Sequence, residues 1–166
     1  MPDDAAKNTQ PGGGHSSFKN TTWSGVREFS HTLHTHVKKS GTLQRILVVE
    51  DDVSLANLEA DMLSARGYVV SIATSGETAI LTLQQEIPDL VLLDLDLSSE
   101  TTGWDVLKVL RRHSSAPVLL TSAESAIRSS IRMLGESRST LDHLPKPYPL
   151  QALLKRIERM LAITPR

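Results

Sequence analysis

The sequence contains no cysteine, which excludes disulfide bonds, thiolate nucleophiles and cysteine-ligated metal sites. Only 4% of its 166 residues are aromatic, and no apolar run approaches the ~20 residues of a membrane-spanning helix. A net charge of −1 gives no electrostatic basis for contact with nucleic acid or with a membrane surface. The N-terminus also lacks the apolar core of a signal peptide. We therefore expect a cytoplasmic protein with neither nucleic acid nor a membrane among its partners.

Large apolar residues are scarce in the first part of the chain. Residues 1–43 are rich in small and polar residues and carry five Lys/Arg against three Asp/Glu, whereas residues 44–166 carry 13 against 16. Three consecutive glycines disfavour regular structure in the first part, and four apolar residues at near-helical spacing predict a short helix over 25–39. An isolated helix of that length is only marginally stable in water. We predict a flexible N-terminal arm over 1–43 and one globular domain over 44–166.

From Gln44 onward, short apolar runs alternate with helical patterns. The runs are ILVV (46–49), YVVSI (68–72), DLVLL (89–93), PVLLT (117–121) and LDHL (141–144). Each run precedes a segment whose apolar residues recur every three or four positions, which predicts an amphipathic helix. Thr74 and Glu77 have the spacing of a capping box and predict the start of the second helix. Five strand-then-helix units predict an α/β fold, in which helices cover both faces of a parallel sheet.

Acidic residues follow two of the apolar runs. Glu50 and Asp51 come directly after the first run, and Asp94 comes directly after the third. Functional sites of open parallel sheets lie beyond the carboxyl ends of the strands, so these three carboxylates crowd one rim if the two strands are neighbours. Clustered carboxylates repel each other unless a cation lies among them, and such hard oxygen ligands suit Mg²⁺. Lys146, which follows the last strand, would bring a fixed positive charge to the same pocket.

Four motifs at predicted strand ends identify a resemblance. They are RILVVEDD, PDLVLLDLDL, PVLLTSA and LPKPY, in this order within residues 45–163. Together they resemble the receiver domain of two-component response regulators. The resemblance implies a doubly wound, flavodoxin-like α/β fold with five parallel strands in the order 2-1-3-4-5. It also implies a signalling module that receives a phosphoryl group from a sensor histidine kinase or a phosphotransfer protein.

The resemblance assigns roles to the clustered residues. Asp94 would be the phosphoacceptor, and Glu50 and Asp51 would hold Mg²⁺ together with it. The backbone carbonyl of Asp96 would be a further metal ligand. Lys146 would pair with Asp94 and then with a phosphoryl oxygen, and the Lys146-Pro147 bond is similar to one that is cis in the family.

The switch residues of the family depart from the common pattern here. Thr121 and Ser122 are adjacent, and only one can face the phosphoryl group because successive strand side chains point to opposite faces. The family places a small residue after the switch hydroxyl, and Ala123 follows Ser122, so we predict Ser122, with Thr121 as the alternative. The second switch residue is usually aromatic and lies three positions before the lysine. Here it is His143, which is smaller and can titrate.

Two other functions fit parts of the sequence. The segment 94–98, DLDLS, also looks like the first motif of haloacid-dehalogenase-like phosphatases, but that motif normally lies on the first core strand. A pseudo-receiver that binds partners without phosphorylation is the second alternative; the acidic trio and Lys146 argue against it, and His143 leaves it open. Since no residue follows Arg166, we expect a stand-alone regulator that signals by protein–protein contact or phosphorelay to an unidentified downstream protein.

Overall fold

The computed structural model describes residues 43–123 and 127–163, so the predicted helix over 25–39 lies outside the described residues. Strands and helices alternate throughout this part of the chain. The strands are β1 (Arg45–Val49), β2 (Val69–Ala73), β3 (Leu90–Asp94), β4 (Val118–Ser122) and β5 (Leu141–Pro145). The helices are α1 (Val53–Ser64), α2 (Gly76–Gln85), α3 (Gly103–His113), α4 (Ile127–Met133) and α5 (Leu150–Ile163). Within the described residues, no helix combines the length and the apolar character that crossing a membrane requires.

The five strands form one parallel sheet in the order β2-β1-β3-β4-β5, which confirms the predicted fold class and strand order. Every predicted strand boundary lies within one residue of the observed one. Because all strands run the same way, their carboxyl ends meet at one edge of the sheet. The predicted functional residues are concentrated at that edge.

Helices cover both faces of the sheet, and alternate strand residues enter two separate apolar cores. Leu47 and Leu93 belong to the core under α2 and α3, whereas Val48 and Leu92 belong to the core under α1 and α5. The edge strand β2 differs from the other four, since only Ala73 of its five residues is buried. The doubly apolar pattern predicted burial on both faces, and for β2 this was wrong. The helices that flank this edge leave its side chains incompletely covered, whereas the other edge strand, β5, is buried.

The predicted capping box at the start of α2 was also wrong. Ser75, not Thr74, is the N-cap, and its hydroxyl accepts a hydrogen bond from the Thr78 amide at 3.2 Å. Glu77 lies in the first turn of the helix, where its carboxylate accepts the Thr101 amide at 2.9 Å. A side chain at Gly76 would collide with the Thr101 carbonyl, so glycine permits this close approach. The contacts fix the loop between β3 and α3, which carries part of the predicted site.

Candidate functional site: three carboxylates and a lysine

Three carboxylates meet at the carboxyl edge of β1 and β3. Val49 pairs with Leu93 in the parallel register, so the next residues, Glu50 and Asp94, lie side by side. Carboxylate oxygens of Glu50, Asp51 and Asp94 all lie within 4.8 Å of one another. Glu50 and Asp94 are each 3% exposed, whereas Asp51 is only partly buried. The structure thus brings together the acidic trio that the sequence predicted.

Lys146 reaches the same place from the end of β5. Its Nζ donates hydrogen bonds to Glu50 Oε2 and Asp94 Oδ2, both at 2.7 Å. Its backbone amide donates to the Ser122 carbonyl at 2.8 Å, and the Lys146-Pro147 bond is cis. Partial burial lowers the pKa of Lys146, but hydrogen bonds to Asp94 and Glu50 outweigh this effect and the net pKa is raised. The amine is therefore a permanent positive charge between two buried acids.

The two acids that follow β1 differ electrostatically. The Asp51 carboxylate accepts the Ser98 amide at 2.9 Å, and interactions with the Ser98 side chain and with this amide hold the pKa of Asp51 below its usual value. Burial raises the pKa of Glu50, the hydrogen bond from Lys146 lowers it, and the Asp94 charge raises it again, leaving it above its usual value. A further cation would relieve the repulsion that remains. Three hard oxygen donors at this spacing fit Mg²⁺.

Asp96 links the site to the end of β4. Its backbone amide donates to Asp94 Oδ1 at 3.0 Å, which orients the predicted phosphoacceptor. Its carboxylate accepts the Ala123 amide at 2.7 Å and so joins the loop after β3 to the segment after β4. The role of its backbone carbonyl as a metal ligand stays a prediction.

The two hydroxyl residues at the end of β4, Thr121 and Ser122, are both buried but lie on opposite faces of the sheet. Ser122 Oγ lies 3.1 Å from His143 Nε2, and the pair is on the face covered by α3 and α4. Thr121 instead lies on the face covered by α1 and α5, where its side chain is close to Tyr148. The structure therefore joins the predicted switch residues Ser122 and His143, whereas Thr121 belongs to a different set of contacts.

A buried pair of polar side chains beneath the site was not predicted from the sequence. The Tyr148 hydroxyl donates a 2.6 Å hydrogen bond to Glu59 Oε1, and Glu59 is only 1% exposed. The available signal was the position of Glu59 on the buried stripe of α1, between Ala56 and Leu63. Burial raises the pKa of Glu59 to about 7, although the Tyr148 hydrogen bond acts in the opposite direction.

A cavity of about 430 Å³ adjoins His143 between α4, β5 and α5. Three arginines, Arg132, Arg138 and Arg156, contribute to its lining. Arg156 and Arg159 both form ion pairs with the Asp142 carboxylate, so one negative charge is shared by two guanidinium groups. No ion pair within the described residues involves Arg132 or Arg138. Two acids, Glu136 and Asp142, also line the cavity. Three arginines against two acids leave its lining with an excess of positive charge.

Comparison with characterised sequences identifies several relatives. The chain is 35% identical over 118 residues to the DNA-binding response regulator MtrA of Mycolicibacterium paratuberculosis, covering 71% of this chain and 51% of that protein. It is 33% identical over 117 residues to the transcriptional regulatory protein BaeR of Escherichia coli O6:H1, covering 70% and 48%. The chain thus spans about half the length of the curated relatives it matches.

Solved structures show the same fold. The N-terminal domain of a response regulator/sensory box/GGDEF 3-domain protein from Carboxydothermus hydrogenoformans superposes with a TM-score of 0.63 at 28% identity, covering 72% of this chain and 95% of that one. A CheY-like receiver domain protein from Methanospirillum hungatei JF-1 gives a TM-score of 0.64 at 24% identity, covering 73% and 95%. The family model for the response regulator receiver domain matches residues 46–158. The chain therefore belongs to the response regulator receiver domain family.

Proposed function

We propose that the Asp94 carboxylate accepts a phosphoryl group from the phosphohistidine of a sensor histidine kinase or a phosphotransfer protein in the cytoplasm. The observation that carries this proposal is the contact of the Lys146 amine with Asp94 and Glu50, at 2.7 Å each. Family membership supports two-component signalling as its setting. Beyond family membership, we propose Asp94 as the phosphoacceptor, a phosphohistidine as the donor and Mg²⁺ as the metal.

The transfer requires positioning and charge neutralisation more than covalent chemistry from the protein. An Asp94 oxygen attacks phosphorus, the P–N bond to the donor imidazole breaks, and the departing nitrogen keeps the electron pair. The Asp96 amide holds the other Asp94 oxygen, so the attacking carboxylate is oriented. Lys146 moves one hydrogen bond from Asp94 to a phosphoryl oxygen and stabilises the charge that develops there. When Mg²⁺ is bound, by Glu50, Asp51, Asp94 and the Asp96 carbonyl, it supplies further neutralisation of the phosphoryl oxygens.

Ser122 and His143 would report the modification. An acyl phosphate on Asp94 presents strong acceptor oxygens that compete with His143 for the Ser122 hydroxyl. Loss of the Ser122 contact frees His143 to adopt a second arrangement in the wall of the arginine-lined cavity. The charge of this cavity suits acidic side chains of a downstream protein, so we propose output by protein–protein contact there, with phosphorelay as the other route.

Stoichiometry of labelling tests the proposed function against its alternatives. The protein is incubated with acetyl phosphate and Mg²⁺, and intact mass is followed over time. A receiver gains one phosphoryl group per chain, and the gain is lost when Mg²⁺ is removed with a chelator. No gain while the domain remains folded would favour a pseudo-receiver. Steady release of phosphate from a generic phosphomonoester would instead favour a haloacid-dehalogenase-like phosphatase.

A further inference from the structure

A chain of buried polar groups lies beneath the acidic site, on the α1 and α5 face of the sheet. Tyr148 donates to Glu59 Oε1 at 2.6 Å, and the Thr121 side chain lies close to the same tyrosine. The other Glu59 oxygen, Oε2, is buried and has no hydrogen-bond partner among the described residues. Burying such groups costs free energy that an apolar pair of similar volume would not cost. The arrangement therefore calls for a role beyond filling space.

Tyr148 lies two residues after Lys146, in the short connection between β5 and α5. The start of this connection is fixed by the Lys146 amide, which donates to the Ser122 carbonyl. The Tyr148 hydroxyl fixes it a second time, through its hydrogen bond to Glu59 on α1. These two attachments determine where the lysine side chain begins. A shift of the backbone here would move the amine away from Glu50 and Asp94.

We propose that Tyr148 and Glu59 are positioning residues that hold Lys146 against the phosphoacceptor. The effect on phosphoryl transfer rests on the proposed function, whereas the effect on the position of the Lys146 amine does not. A hydrogen bond suits the task better than apolar packing because it is directional and fixes one position of the hydroxyl. Without the Tyr148 hydroxyl, both Glu59 oxygens would be buried without a partner, which favours displacement of the connection or entry of water.

The first experiment measures the accessibility of the Lys146 amine and needs no phosphorylation. The folded protein is treated with a limiting amount of an amine-acetylating reagent, and acetylation of each lysine is quantified by mass spectrometry. Exposed Lys108 is the internal reference. Tyr148→Phe and Glu59→Leu should raise Lys146 acetylation roughly five- to tenfold, the effect of losing about one buried hydrogen bond. Glu59→Gln keeps an acceptor oxygen and should stay close to the wild-type rate.

The matched control is Tyr68→Phe, since Tyr68 precedes β2 at the opposite edge of the sheet. Wild-type acetylation of Lys146 in both Tyr148→Phe and Glu59→Leu would overturn the inference. So would an equal rise in Tyr68→Phe, because the effect would then be one of general loosening. Should Tyr148→Phe fail to fold, Glu59→Leu decides the same question, as it removes the acceptor and keeps the hydroxyl.

The second experiment is a double-mutant cycle on the labelling rate with acetyl phosphate and Mg²⁺. Tyr148→Phe should slow labelling roughly fivefold in the wild-type background and cause no further loss in a Lys146→Ala background. Equal losses in the two backgrounds would show that Tyr148 does not act through Lys146, and would contradict the inference. If the wild-type protein takes no label at all, the proposed function fails, and the acetylation experiment still decides the placement of the amine.

Discussion

The Lys146 amine lies 2.7 Å from Asp94 Oδ2 and equally far from Glu50 Oε2, although 52 and 96 residues separate it from these acids. Parallel pairing of β1 with β3 sets the two acids side by side, and β5 ends at the same edge two strands away. Each acid is only 3% exposed, so the amine compensates charges that water scarcely reaches. This contact couples the stability of the domain to its proposed chemistry.

Replacing Lys146 by methionine should destabilise the domain by roughly 1–3 kcal/mol at pH 8, because two buried carboxylates lose their shared cation. The loss should be smaller at pH 5, since burial raises the pKa of Glu50 and a proton can replace the amine there. Urea unfolding at both pH values measures the difference. Lys108→Met, which removes an exposed amine beside Asp105, is the control and should change stability by less than about 0.5 kcal/mol. Equal losses for Lys146→Met at pH 5 and pH 8 would contradict this explanation.

Mg²⁺ should stabilise the folded domain through the acidic trio. At a concentration 100 times its Kd, the expected gain in the free energy of unfolding is about 2.7 kcal/mol. Asp51→Asn should reduce the gain, because the Ser98 side chain and amide favour the ionised form of Asp51 and the variant removes that charge. Asp61→Asn, on an exposed position of α1, is the matched control. Thermal unfolding over a Mg²⁺ series at constant ionic strength is the measurement, and an unchanged Mg²⁺ dependence in Asp51→Asn would argue against the site.

Glu59 should make stability depend on pH near neutrality. Its pKa is about 7 in the folded protein and 4.5 in the reference state, so the folded protein holds a proton that the unfolded chain releases between these values. The contribution of this group to stability should therefore be greatest below pH 4.5, should fall by about 3 kcal/mol between pH 4.5 and pH 7, and should level off above pH 7. The groups facing Glu59 are Tyr148, Glu50, Lys146 and Asp94, and their contributions remain in a Glu59→Gln variant.

Comparing chemical denaturation of the wild type and Glu59→Gln from pH 5 to pH 8 isolates this effect. The free energy of unfolding of the wild type, relative to that of Glu59→Gln, should fall as pH rises from 5 to 7. A difference independent of pH would mean that Glu59 is already ionised at pH 5, with its charge compensated in the folded protein.

The Ser122–His143 contact should respond to occupation of the phosphoacceptor. Beryllofluoride with Mg²⁺, which mimics a bound phosphoryl group, should draw the Ser122 hydroxyl away and shift the His143 ring resonances in NMR spectra. Ser122→Ala should abolish this shift, whereas Thr121→Val should retain it because Thr121 contacts Tyr148 on the other face. The opposite pattern would exchange the roles of the two hydroxyl residues.

Local sequence patterns sufficed to predict the sheet because its strands are buried and strongly apolar. The same pattern failed for β2, since burial at an edge depends on how far the flanking helices cover the strand. The other edge strand, β5, is buried. The sequence pattern also could not decide whether Thr74 or Ser75 is the N-cap of α2. Both residues are plausible caps, and the choice depends on Glu77 bonding to Thr101 in a distant loop.

The acidic residues and the lysine of the candidate site could be predicted from the strand order. Glu50, Asp94 and Lys146 follow strands of one parallel sheet, so strand order alone brings their backbones to one edge. The Glu59–Tyr148 contact joins a helix to a loop 89 residues away, and no strand register relates them. The position of Glu59 in an apolar helical stripe indicated burial, but only the packing of α1 against the β5–α5 connection reveals its partner.

Whether Asp94 is the phosphoacceptor is decided by mapping the phosphoryl group with peptide mass spectrometry after treatment with acetyl phosphate and Mg²⁺. We expect a single modified residue, Asp94, with no label in Asp94→Asn and much slower labelling in Lys146→Ala. Undiminished labelling of Asp94→Asn at another residue, or a Lys146→Ala rate equal to that of the wild type, would contradict this expectation.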